Sequence, residues 1–64
     1  MENNVIKLMR KIEQDFQDAT YDAMKFTEGN NSAGTRVRKY MQSIKSLAQA
    51  VRKEVQNQKN AVAA

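Results

Sequence analysis

The feature that most limits this chain is a pair of heptad runs separated by one break. Val5, Met9, Ile12, Phe16, Ala19, Ala23 and Phe26 follow one another at alternating steps of four and three. That spacing is the seam of a helix packed lengthwise on another. Val37, Met41, Ile44, Ala48, Val51, Val55, Gln58 and Val62 repeat it, with only Gln58 out of character. Between them, Gly29-Asn30-Asn31-Ser32 is the one turn-rich stretch, and the chain has no proline to break either run. The pattern predicts a single domain over residues 1–64: a helix over about 4–28, a turn at 29–32, a helix over about 33–60 and a frayed tail at 61–64. Asn3 or Asn4 is placed to cap the first helix, and Ser32 or Asn31 the second. Gly29 stands where a left-handed residue closes a helix. So short a turn makes the helices antiparallel neighbours. The fold class expected is therefore all-α, an antiparallel two-helix hairpin. Ile6, Leu8, Tyr40 and Leu47 flank the two seams and widen the apolar stripe beyond what a lone hairpin needs. Two hairpins are accordingly expected to dimerise into a four-helix bundle, with larger homo-oligomers open.

Missing residue types exclude most chemistry. The sequence has neither histidine nor cysteine, which removes disulfides, thiolate or imidazole metal sites and the usual nucleophile–base pairs. No glycine-rich phosphate loop is present. Asp15, Asp18 and Asp22 share one side of the first helix, an arrangement open to two readings: a loose divalent-cation site or a solvated acidic face. No other hard ligand is placed to complete a shell, which favours the solvated face. No enzymatic activity, metal, cofactor or small-molecule substrate is expected. No apolar run resembles a signal peptide or approaches the roughly 18 residues of a membrane span, so a cytoplasmic location without a membrane partner is expected.

Charge is the informative property. The net charge is +4, but it is unevenly placed. Residues 1–28 hold four cations against six acids, a net −2; residues 29–64 hold seven cations against Glu54 alone, a net +6. Arg38, Lys45, Arg52 and Lys59 recur every seven residues along one edge of the apolar stripe, with Gln42, Gln49 and Gln56 beside them. Such a row can donate to successive phosphates without reading bases. The alternative is a solvated flank neutralised by acids of the first helix. There the facing positions are Ile6, Glu13, Thr20 and Thr27, so only Glu13 can serve, with Arg52 as its expected partner. At the start of the second helix, Thr35, Arg36, Arg38 and Lys39 surround free amides that already favour anions. Gly34 would let a phosphate approach the backbone there, or merely ease the loop geometry. Lys7, Arg10 and Lys11 are expected to meet Arg52, Lys53 and Lys59 at the open end, either as a second basic pole or as a solvated end. Tyr21 and Tyr40 are too few to stack on single-stranded bases, which favours duplex DNA as partner. Tyr40 is expected at the bundle edge, near Asp22.

Two stretches carry a resemblance. Gly29-Asn30-Asn31-Ser32-Ala33-Gly34-Thr35-Arg36-Val37-Arg38-Lys39 and Leu47-Ala48-Gln49-Ala50-Val51-Arg52-Lys53-Glu54-Val55 resemble the bacterial linker-histone-like DNA-binding family of the chlamydial histone-like type. The likeness covers about residues 26–60, and the first helix only as a heptad pattern. It implies a nucleoid-associated protein that binds double-stranded DNA with little sequence preference and helps organise the chromosome, and it carries over to Arg36, Arg38, Arg52 and Lys53. Longer members continue into a lysine- and alanine-rich tail. This chain ends at Ala64 without one, so bridging by a dimer with two basic faces is the expected substitute. The DNA-binding set is then Arg36, Arg38, Lys39, Lys45, Arg52, Lys53 and Lys59. The rival expectation is a coiled-coil adaptor that binds another protein's helix through Ile6, Leu8 and Leu47.

Overall fold

Asn3 opens the first helix. Its side-chain Oδ1 accepts from the Val5 amide at 2.8 Å, satisfying one of the donors that every helix start leaves free. In the computed structural model, which describes residues 3–63 with side chains through Ala61, α1 runs Asn4–Thr27 and α2 runs Asn31–Ala63. No strand occurs among the described residues. The helices lie antiparallel in one layer, with Cα extents of 54 × 20 × 11 Å. The helix continues through the expected tail to Ala63; Ala64 and the seam side chain of Val62 lie outside the description.

The connection is economical. Gly29 takes a φ of 105°, the left-handed conformation that costs glycine little. Its N–H donates to the Phe26 carbonyl at 3.0 Å, and the Asn30 N–H donates to the Lys25 carbonyl at 3.1 Å. This is the Schellman closure of α1. The Asn30 Oδ1 then accepts from the Ala33 amide at 3.1 Å. Asn30 thus closes one helix with its backbone and caps the next with its side chain. The second helix accordingly starts earlier than Ser32 or Asn31 as cap would have it.

The seam turns out to lie one position away from the expected one. Val5, Ile12 and Ala19 on α1 and Val37, Ile44, Val51 and Gln58 on α2 face the partner helix as the heptads require. The positions between them are filled by Leu8, Asp15 and Asp22, and by Ala33, Tyr40, Leu47 and Glu54. Met9, Phe16, Met41 and Val55, read as seam residues, are instead 42%, 59%, 43% and 37% exposed. Steps of three and four fit either side of the shared positions. Directional polar contacts decide between them. Ser43 donates to Asp15 at 2.6 Å, and Arg36 Nε donates to Asp22 at 3.1 Å. These bonds form only with the helices rotated so that the aspartates point across.

Gln58 also gains a role. Asn3 Nδ2 donates to its Oε1 at 3.0 Å and its Nε2 donates to Asn3 Oδ1 at 2.9 Å. The one polar residue in the second heptad run therefore ties the register to the cap of α1. Apolar burial within the hairpin is slight. Ala19 and Ala33 are its buried apolar residues, and no large side chain is fully buried among the described residues.

Candidate nucleic-acid interface

Helix geometry divides the seven candidate cations among three places on α2. Successive residues turn by about 100°. Arg38, Lys45, Arg52 and Lys59 therefore form one straight row with steps of about 10.5 Å. All four are exposed. Lys39 and Lys53 lie across the glutamine row, toward the other side of the helix. Both are exposed as well. Arg36 stands nearest the seam on that second side.

Their electrostatic states differ. Arg36 Nη2 lies 3.1 Å from Asp22 Oδ1, in addition to the Nε bond. The hydrogen bond that Arg36 donates to Asp22 raises the Arg36 pKa above its ordinary value, so the guanidinium stays charged. Arg36 is 45% exposed at its side chain and Asp22 only 9%. Arg36 thus neutralises a buried carboxylate while keeping one edge in water. Among the described residues, Arg38, Lys39, Lys45, Arg52, Lys53 and Lys59 form no ion pair. The expected pairing of Glu13 with Arg52 does not form; both project outward beyond the seam rather than across it.

The rest of the surroundings sharpen the picture. An open hollow on the seam's polar flank is lined by Asp15, Arg36, Lys39, Tyr40 and Ser43. Tyr40 is half-buried there, beside Arg36. Asp15, Asp18 and Asp22 are drawn to three different partners, Ser43, Gln14 and Arg36. They do not converge on a common point. At the open end, Lys7 and Lys11 share a hollow with Asn4, Leu8 and Glu54, so a carboxylate sits within the expected basic pole. Lys25 lies 4.6 Å over the Tyr21 ring, a cation–π contact that covers one face of it. Gly34 has a packing reason: a Cβ there would meet Phe26 Cδ1 at 2.6 Å. The Phe26 ring therefore occupies the approach considered for a phosphate. Asp22 is the residue the sequence reading undervalued. Its place two heptads after Leu8 was the available signal.

A family model matches this arrangement over residues 6–61, described as Histone H1-like protein Hc1. The match spans both helices and the turn. The chain belongs to the histone H1-like protein Hc1 family. That family is one of architectural, DNA-binding proteins rather than enzymes, and membership supports a histone-like, nucleoid DNA-binding role for this Hc1-type hairpin in general terms. No curated protein and no solved structure matches the chain. No helix among the described residues is long and apolar enough to cross a membrane.

Proposed function

We propose that this Hc1-type hairpin binds duplex DNA through phosphates, without sequence preference, and organises the chromosome in the nucleoid as a homo-oligomer. The observation that carries the reading is the row Arg38, Lys45, Arg52 and Lys59, exposed and free of ion pairs among the described residues. Its ends are about 31 Å apart, close to one turn of B-form DNA at roughly 34 Å. A straight rod of that length meets phosphates on successive strands as it crosses a groove. Arg38 and Arg52 have the forked guanidinium that can also read a base edge, but on this exposed row they act with Lys45 and Lys59 as phosphate donors. Lys39 and Lys53 add charge from the far side of the glutamines, whereas Arg36 contributes less because Asp22 already engages it.

The test is affinity for several unrelated duplexes as a function of salt. Each phosphate neutralised contributes a slope of about −0.9 in log K against log salt. Four contacts per hairpin predict a slope near −3.6, alike for every duplex. A flat response, or a strong preference for one sequence, overturns the reading.

An adaptor function has one observation in its favour, the uncovered apolar flank of Met9, Phe16, Met41 and Val55. Leu8 and Leu47 are half-buried between the helices, so an adaptor would use this flank rather than those residues. Recovery with a stoichiometric protein partner and no affinity for DNA would select it.

A further inference from the structure

The hairpin has two unlike flanks. One carries the polar contacts of Asp15 and Asp22. The other carries Met9, Phe16 and Ala23 of α1 beside Gly34, Met41 and Ala48 of α2. The row of Met9, Phe16 and Ala23 and the row of Gly34, Met41 and Ala48 lie on this same side because antiparallel heptads bring like flanks together. An apolar hollow of about 380 Å³ shows the juxtaposition directly, since Ala23, Phe26, Gly34 and Val37 line it together.

We infer that this flank is the docking surface for a second copy of the chain, stacked antiparallel about a twofold axis near Phe16, so that Met9 of each copy seats in the hollow at the partner's Ala23, alongside the Phe26 ring that covers Gly34. The inference specifies the homo-oligomer of the proposed function and rests on that part of the reading.

Three observations support a second copy as the occupant. First, the isolated hairpin fully buries no large side chain among the described residues. A chain this small without disulfides or metal needs a partner to supply its core, and another copy is always present. Second, the exposed parts of Met9, Phe16, Met41 and Val55 make a continuous patch on the order of several hundred Å². Doubled across a twofold, and with the flanking atoms, it approaches the total of ~1,200 Å² at which specific dimers begin. Third, the flank is complementary to itself. Met9 and Ala23 stand equally far from Phe16, seven residues or about 10.5 Å on either side. A twofold through Phe16 therefore sets the large residue of one copy against the small residues and hollow of the other. A parallel stack would place hollow against hollow and leave both empty.

The antiparallel arrangement lays α2 beside the partner's α2. The rows beginning at Arg38 then run side by side along one edge, merging two phosphate-binding rows into one. Such a gathering is repulsive in itself, and a polyanion relieves it. DNA and self-association should consequently strengthen each other.

The experiment uses disulfide trapping, which is clean because the chain has no cysteine of its own. Met9→Cys and Ala23→Cys chains are mixed and oxidised, beside a mixture of Met9→Cys and Ala48→Cys chains. Sedimentation of the unsubstituted chain is measured in parallel, with and without duplex DNA. Expected are a covalent 9–23 dimer, little 9–48 product, and a dimer that tightens when DNA is added. Predominant 9–48 trapping overturns the antiparallel stack. A monomer at the highest concentrations, with no trapping in either mixture, overturns self-docking and leaves the flank to another protein. Loss of DNA affinity with 9–23 trapping intact would sink the DNA reading and spare this one.

Discussion

The two flanks of one seam are built from the same heptads, yet they do opposite things. On the polar flank, Asp15 and Asp22 reach across to Ser43 and Arg36 at 2.6 and 3.1 Å, and the hairpin's own contacts are satisfied there. On the apolar flank, Met9, Phe16, Met41 and Val55 remain between 37% and 59% exposed, their outer faces left uncovered by the described residues. The difference teaches that a seam is chosen by directional contacts as well as by apolar area. Hydrogen bonds hold the helices at one rotation, and the larger side chains are left over for assembly. The basic row starting at Arg38 borders the apolar flank, so whatever covers that flank also arranges the charge.

The comparison can be broken most severely at Phe16. Phe16→Glu places a charge in the middle of the apolar flank and should weaken association by on the order of 3 kcal/mol. Gln17→Glu, one position away on the exposed face, should leave it unchanged; circular dichroism melts at several concentrations distinguish the two. Next comes the charge row. Changing Arg38, Lys45 and Arg52 together to glutamine should make the salt dependence of DNA binding shallower by about 2.7 units of slope, with the helical content retained. An unaltered slope would remove the row from the interface.

The polar flank should respond more gently and with a set order. Asp22→Ala removes the buried member of the pair, whereas Arg36→Ala removes the member that already meets water. Thermal melts should therefore show the larger loss for Arg36→Ala, since it strands a buried carboxylate without its partner. The reverse order would show that the carboxylate is not the costly member. Smallest is the register lock at the open end. Asn3→Ala removes the cap on Val5 and the amide pair with Gln58, for a cost of about 1 kcal/mol. Asn4→Ala should cost less, because the cap is made by Asn3.

Sequence alone determined the local facts about this protein. The runs of three and four, the absence of proline, and the Gly29-Asn30 punctuation specify two long helices and the turn between them. Each is a property of neighbouring residues, and Gly29 with its positive φ was readable for that reason. That the α2 cations would meet few carboxylates was equally legible, because the acids sit almost wholly in the other half of the chain, although the expected Glu13–Arg52 pair does not form among the described residues. Tertiary structure alone decided which side of Val5, Ile12 and Ala19 would face the partner helix. The heptad fits Leu8, Asp15 and Asp22 as well as Met9, Phe16 and Ala23, since both stand three or four residues from the shared positions. The choice rests on Asp15 meeting Ser43, Asp22 meeting Arg36 and Asn3 meeting Gln58, contacts 14 to 55 residues apart along the chain. No periodicity within one helix carries that information, because it belongs to the fit between two.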